Sequence, residues 1–268
     1  MNTNNKQNNQ ASKATGDQSF DGITHKFSHN IYATTKGRLR LAVLKRDLQP
    51  WLTRAKQRPL KILDIGGGLG QVSQWFAELG CNIMHTDISA EIVAAAQQQH
   101  AQAGLAQRYQ YLVAPLQQLP EQVADDYDLI LCHAVLEWLA DPAAAIALLP
   151  QLLAPQGGIS LMFYNKDAKV LANVIFGNFD YVEAGLTVKK KVRLSPQQPL
   201  DPAHVVQWLE QAGLQIEHKT GVRCFHDYLK NAADKERFEQ LLALELRYNQ
   251  QAPFCDIGRY LHWQLKRA

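Results

Sequence analysis

The stretch Asp64-Ile65-Gly66-Gly67-Gly68-Leu69-Gly70 closes the apolar run at residues 60–65 and narrows the fold more than any other part of the chain. Glycines there permit a tight turn and let a ligand approach the backbone. Residues 71–79 predict a helix whose first N–H groups are unpaired. Residues 82–86 read as a second strand, and Asp87 stands at its end, 21 residues after Gly66. A carboxylate in that place accepts hydrogen bonds from both hydroxyls of a ribose. Two nucleotide cofactors use such a unit. A dinucleotide site wants G-x-G-x-x-G, and here the last of those positions falls on Gln71. The run is instead Asp-x-Gly-x-Gly-x-Gly. An acid ahead of the glycines repels a pyrophosphate but suits the sulfonium and ammonium of S-adenosylmethionine, so the electrostatic sign favours that cofactor. A glycine-rich turn with no ligand is the bland alternative.

The rest of the chain continues the alternation. Residues 109–114, 127–132 and 159–164 read as strands. Helices lie between them at 90–103, with Ser89 as a cap, and at 142–153, with Pro142 in the first turn. Residues 155–158 (PQGG) read as a turn. The rhythm breaks at 165–200, then resumes with a helix at 202–212, a strand at 214–219, a helix at 234–248 and a last strand at 260–265. His262 and Trp263 read as serving that last strand only. Strands spaced by helices imply a sheet covered on both faces. The expected class is α/β and Rossmann-like, with a mostly parallel seven-stranded sheet, and a hydrophobic content of 46% is enough for its core. Ahead of it, residues 20–58 place Phe20, Ile23, Phe27, Ile31 and Tyr32, then Leu39, Val43, Leu44, Leu48 and Trp51, at helical spacings. This predicts one or two helices forming an N-terminal cap.

Residues 1–19 are polar, are expected to be disordered, and lack the apolar segment of a signal peptide. No apolar run reaches the roughly 18 residues of a membrane span. Cys81, Cys132, Cys224 and Cys255 lie far apart with no CxxC. That argues against a disulfide framework or a zinc site and for a reducing cytoplasm. Lys+Arg 28 against Asp+Glu 25 gives only +3. Nucleic-acid binding would therefore need a local patch. Lys189, Lys190, Lys191 and Arg193 form one inside the 165–200 insertion. Such a run is ordinarily a solvated loop. At the C-terminal edge of the sheet it would meet phosphates.

From about Phe20 onward the chain resembles class I S-adenosylmethionine-dependent methyltransferases, and among them the bacterial tRNA 5-carboxymethoxyuridine methyltransferases. The narrow resemblance rests on residues 26–37 (KFSHNIYATTKG), 163–165 (FYN) with 177–181 (GNFDY), the lysine run, and 220–228 (TGVRCFHDY). The polar tail and the extra Gln156 in the turn depart from the family pattern. The resemblance implies methyl transfer to the carboxylate of 5-carboxymethoxyuridine at the wobble position of a tRNA anticodon stem-loop, giving the methyl ester. It also implies a cofactor lined by Arg40, Gly66, Gly67, Asp87, Leu116, Gln117 and His133, with Gly68 and Gly70 completing the loop.

A carboxylate of ordinary pKa, about 4, is ionised at neutral pH and already carries the attacking lone pair. No general base is needed, and none is expected. Carboxylates are held well by the two-pronged guanidinium of Arg. The candidate carboxylate site draws on Tyr32, Lys36, Tyr164, Asn165, Arg223, His226 and Arg259. Four of these have a plainer reading. Arg223 and His226 alternate with Val222, Phe225 and Tyr228 like the solvent face of a strand, Tyr32 fits a packed helix, and Arg259 fits a surface charge. Tyr32, Phe179 or Tyr181 offers a ring for an unstacked wobble base. The competing reading is a methyltransferase of a free carboxylic acid, which would not need the basic run.

Overall fold

A computed structural model of the chain describes residues 17, 34–187 and 198–268. Tyr32, the first part of the N-terminal cap, and Lys189, Lys190, Lys191 and Arg193 lie outside the described residues.

The strands are β1 (Lys61–Ile65), β2 (Asn82–Asp87), β3 (Tyr109–Val113), β4 (Tyr127–His133), β5 (Leu153–Tyr164), β6 (Leu214–Val222) and β7 (Tyr260–Arg267). They form one sheet in the order β3-β2-β1-β4-β5-β7-β6. The pairs from β3 to β5 are parallel, while β7 runs antiparallel to both β5 and β6. The order turns outward in both directions from β1 and β4, and ligands of open α/β sheets bind beyond the strand ends at such a reversal.

Both faces of the central strands are apolar, which is why they read as continuous hydrophobic runs. Leu63, Ile65, Ile130 and Cys132 point to one side, where α6 (Pro142–Leu148) and α9 (Pro202–Gln211) pack. Ile62, Leu129 and Leu131 point to the other, with Leu48, Leu52 and Phe76. Those partners come from α1 (Thr35–Asp47) with its C-cap Leu48, α2 (Gln49–Gln57) and α3 (Gln71–Ala77). Each such side chain contributes about 1.5–3 kcal/mol by burial. A further cluster joins Leu39, Val43 and Leu44 of α1 to Met162 and Val222, so α1 lies across the C-terminal edge of the sheet. Thr34 caps α1 by accepting from the Gly37 N–H at 3.2 Å. Ser89 caps α4 (Ala90–Gln102) by accepting from the Ile92 N–H at 3.3 Å, as its sequence position predicts. Between α4 and α6 lies the short α5 (Leu119–Gln122).

Four stretches differ from the sequence reading. The 142–153 helix tightens at Leu149–Leu152, where Pro150 has no N–H to continue the ladder. The turn at 155–158 is absorbed into β5 as a bulge: Tyr127 pairs with Leu153 but Leu129 pairs with Gly158. The 165–200 break contains α7 (Lys166–Ile175), capped by Asn165, and α8 (Phe179–Glu183). Their pattern is hard to read in sequence because Val174, Ile175, Phe176 and Phe179 are exposed. The 234–248 helix is divided into α10 (Ala232–Lys235) and α11 (Phe238–Tyr248) at Arg237, whose ψ of 53° is not helical.

Candidate cofactor and substrate site

The parallel register sets Ile65 beside Thr86 and Cys132, Asp87 beside Val113, and His133 beside Met162. The strand ends therefore deliver the glycine loop, the acid and the histidine to one edge. Gly67 donates to the Thr86 carbonyl at 3.0 Å, and Gly70 donates to the Gly67 carbonyl at 2.9 Å. Gly66 has φ +57°, and a Cβ there would lie 2.6 Å from Val135 Cγ2. A Cβ on Gly67 would lie 2.5 Å from His85 Cε1 and 2.7 Å from Asp64 Cγ. The loop is thus glycine partly because the protein's own His85 and Asp64 fill the space beneath it. Gly70, with φ +73°, meets His100 in the same way. The Asp87 carboxylate accepts from the Gly68 N–H at 3.2 Å and the Ser89 N–H at 2.9 Å. Burial raises its pKa despite these two donors.

A cavity of about 360 Å³ opens over this loop, within the range of small-molecule sites. Of the residues expected at the cofactor, Arg40, Gly66, Gly67, Gly68, Asp87, Leu116 and His133 line it. Asp64 is there too, 3.5 Å from His85 Nδ1. Gly70 is set back at the start of α3. Gln117 is also set back, and its amide donates to Asp17 Oδ2 at 3.0 Å. Asp17 itself lines the cavity and accepts from the Ala140 N–H at 2.9 Å. Nothing in its polar surroundings in the sequence marks it out. His133 is held neutral by burial first, then by His262 and Arg40. The cavity over the glycine loop, an acid at Asp87, a cation at Arg40 and a neutral imidazole together fit a nucleoside that carries an amino-acid tail.

Lys36, Arg223 and Tyr260 line the same cavity, Arg223 and Tyr260 towards the β7–β6 end of the sheet and Asp87 towards the β2 end. Arg223 directly follows β6 with φ +63°, a left-handed conformation rare for a side-chain-bearing residue. That turn takes it out of any strand face and aims its Nε at Asp227 Oδ2, 2.6 Å away. Lys36 Nζ lies 3.9 Å from Asp227 Oδ1. Burial pushes the Asp227 acid up, but Arg223, with neighbouring His226 and Arg259, overcomes it and holds the carboxyl well below its usual range. Lys36 is lowered by burial, with Arg223, Lys235 and Arg259 adding to the shift and Asp227 opposing it. Arg259 lies 4.9 Å over the Tyr164 ring and Arg223 5.4 Å over Tyr260. Lys36 and Arg223 thus pair with a single carboxylate, on which Arg259 also acts electrostatically.

The other expected substrate residues sit behind this cluster. Tyr164 is buried under Arg259. His226 is buried, its Nε2 3.1 Å from Thr35 Oγ1. Asn165 donates to the Asp256 and Gly258 carbonyls at 2.8 and 3.0 Å and accepts from the Asp167 N–H. Its side chain clamps the loop that carries Arg259 and is not among the cavity-lining residues. Asp227 organises the cluster, yet the sequence reading passed over it inside the stretch quoted at 220–228.

Glu137, in the turn after β4, is buried, and burial pushes its acid up to about 8 although Arg40 opposes the shift. The folded protein then holds a proton that the unfolded chain releases above pH 4.5. This contribution is most favourable below that value and is lost as the pH rises to about 8, at about 1.4 kcal/mol per pH unit. Glu137→Gln, which cannot ionise, is therefore expected to be more stable than the parent by about 4 kcal/mol at pH 8 and equal to it near pH 4.5. Denaturant titrations at several pH values check this, and parallel stability curves would contradict it.

Comparison with known proteins agrees with this geometry. Residues 63–161 match the family model described as "Methyltransferase domain". The chain is 46% identical over 247 residues to the tRNA 5-carboxymethoxyuridine methyltransferase of Escherichia coli (strain K12), covering 92% of this chain and 95% of that one. It is 29% identical over 168 residues to the ubiquinone biosynthesis O-methyltransferase of Xanthomonas axonopodis pv. citri, covering 60% and 65%. Among solved structures, the magnesium protoporphyrin IX methyltransferase from Synechocystis with bound SAH superposes with TM-score 0.62 at 16% identity, covering 93% of this chain and 96% of that one. At that identity the likeness speaks for the fold. Fold, glycine loop and strand-end acid define a class I S-adenosylmethionine-dependent methyltransferase. The identity across nearly the whole chain goes further: the protein belongs to the tRNA 5-carboxymethoxyuridine methyltransferase family. Among the described residues no helix is long and apolar enough to cross a membrane.

Proposed function

We propose that the protein esterifies the carboxylate of 5-carboxymethoxyuridine at the wobble position of tRNA, with S-adenosylmethionine as donor. The observation that carries this reading is the charge balance beside the cofactor cavity. Lys36, Arg223 and Arg259 face one carboxylate, Asp227. Three cations around one carboxylate, with Arg223 largely buried and Lys36 open to solvent, leave a local excess of positive charge that an anionic partner would balance, and a substrate carboxylate supplies it. A ribose on Asp87, an adenine beside Leu116 and an amino-acid tail towards Arg40 and His133 would direct the far end of the cofactor to this cluster.

The cofactor supplies an electrophilic methyl on a sulfonium. The protein's part is to place an oxygen of an already ionised acceptor in line with it, and good alignment of this kind is worth about 7–11 kcal/mol. No proton needs removing. Asp227 serves by sharing the cations: a guanidinium committed wholly to the substrate would blunt the nucleophile that it orients.

On the tRNA side, we read residues 165–200 as a substrate-binding insertion and residues 20–58 as a cap. Exposed Phe176 and Phe179, with Tyr181 5.7 Å from Lys169, support a surface on which bases of the anticodon loop stack. Lys189, Lys190, Lys191 and Arg193, next in the chain, would meet the stem phosphates. Deleting the gene is expected to lower the mass of the wobble nucleoside in digested tRNA by about 14 units, one CH₂, with the carboxylate form accumulating. An unchanged nucleoside profile would reject the assignment.

A further inference from the structure

A line of buried polar groups runs along one face of the sheet, from the cavity to the end of α1. His133 Nε2 lies 2.7 Å from Ser160 Oγ, and Ser160 Oγ lies 2.7 Å from His262 Nε2. His262 Nδ1 lies 2.7 Å from Asp47 Oδ2. The four residues come from β4, β5, β7 and the end of α1. Register explains the meeting: Met162 pairs with both His133 and His262, and Ser160 is two residues before Met162, on the same face. Asp47, Ser160 and His262 are all buried, while His133 borders the cavity. Asp47 is held ionised: burial opposes this, but His262 and Arg46 outweigh it. Its other oxygen accepts from Arg46 Nε at 2.8 Å and Gln250 Nε2 at 3.3 Å.

Counting protons along the line fixes its direction. An ionised carboxylate only accepts, so His262 carries its proton on Nδ1. With one ring proton, His262 offers a lone pair at Nε2, and the Ser160 O–H donates to it. That hydroxyl proton is then spent, so Ser160 accepts from His133 Nε2–H. His133 is neutral, and its remaining ring nitrogen, Nδ1, is left with a lone pair. Only if His262 carried two protons would the line reverse and leave an N–H at Nδ1.

We propose that Asp47, His262 and Ser160 are positioning residues that fix the tautomer of His133, so that its Nδ1 accepts a hydrogen bond from the α-ammonium of the cofactor. The inference rests on the cofactor placement proposed above. It assigns a binding role to His262, which the sequence reads as part of the last strand only. It also explains why a serine and a histidine on neighbouring strands are buried together against Asp47. Arg46 and Gln250 hold the Asp47 end of the line, and its open end is the cavity.

The test compares two ligands by calorimetry: S-adenosylhomocysteine, and 5′-deoxy-5′-methylthioadenosine, which keeps the adenosine and thioether but lacks the amino acid. Ser160→Ala is expected to weaken the first by about tenfold and the second by less than about twofold, since only the first carries the ammonium. A merely structural role would weaken both alike or neither, and either result would overturn the inference. If the parent binds neither ligand, the cofactor placement itself fails, which is a different outcome. Should Ser160→Ala not fold, the ¹⁵N spectrum of histidine-labelled parent bound to S-adenosylhomocysteine at pH 8 decides. A pyridine-type Nδ1 and a protonated Nε2 on His133 are expected, and a protonated Nδ1 would overturn the proposal.

Discussion

Replacing Asp87 with Ala is expected to weaken S-adenosylhomocysteine binding by about 100-fold or more. Two ribose hydroxyls donating to one carboxylate are worth about 1.5–3 kcal/mol each, because the acceptor is charged. Their sum corresponds to at least two decades in Kd. The same carboxylate accepts from the Gly68 and Ser89 N–H groups, so its removal also unties the glycine loop from the start of α4. Asp87→Asn, which keeps one acceptor oxygen, should fall between parent and Ala. Calorimetry with the folded variants reads this directly. An affinity within twofold of the parent for Asp87→Ala would mean that the ribose lies elsewhere.

Arg223→Met is expected to lower kcat/KM on carboxylate-bearing tRNA by about 100- to 1000-fold, while changing S-adenosylhomocysteine affinity by less than about threefold. The loss follows from removing a charged, two-pronged donor in a site where the substrate anion has shed water. Lys36 and Arg259 remain to hold Asp227, so the fold should survive. Arg223→Lys restores the charge without the fork and should recover only part of the rate. Near-parental turnover by Arg223→Met would remove this cluster from the reaction.

The two sites differ in how much of them the sequence discloses. The unit from β1 to Asp87 is local. Glycines are required where the chain turns tightly over His85 and His100, and the strands are apolar on both faces, so pattern and spacing reveal it. The carboxylate cluster is only half visible. Arg223 and His226 look like alternate residues of a strand because nothing in the sequence announces the left-handed turn at Arg223. Asn165 stands in a distinctive stretch, yet its amide serves the 256–258 loop. Groups joined over long separations are invisible to pattern. Asp17 meets Gln117 across 100 residues, and Asp47 meets His262 across 215. A polar residue gives no local sign that the fold will bury it beside its partner. The insertion hid its helices for the opposite reason: its apolar residues are left on the surface, so burial could not impose a readable period.

The chemistry itself can be read from one incubation. Purified protein, tRNA bearing 5-carboxymethoxyuridine and S-adenosylmethionine labelled with ¹³C in its methyl group are combined, and the tRNA is digested for mass spectrometry. The expected product is a wobble nucleoside heavier by about 15 units that returns to the starting carboxylate after mild alkali, as an ester must. A label that survives alkali, or one found on any other nucleoside, would contradict transfer to the carboxylate oxygen.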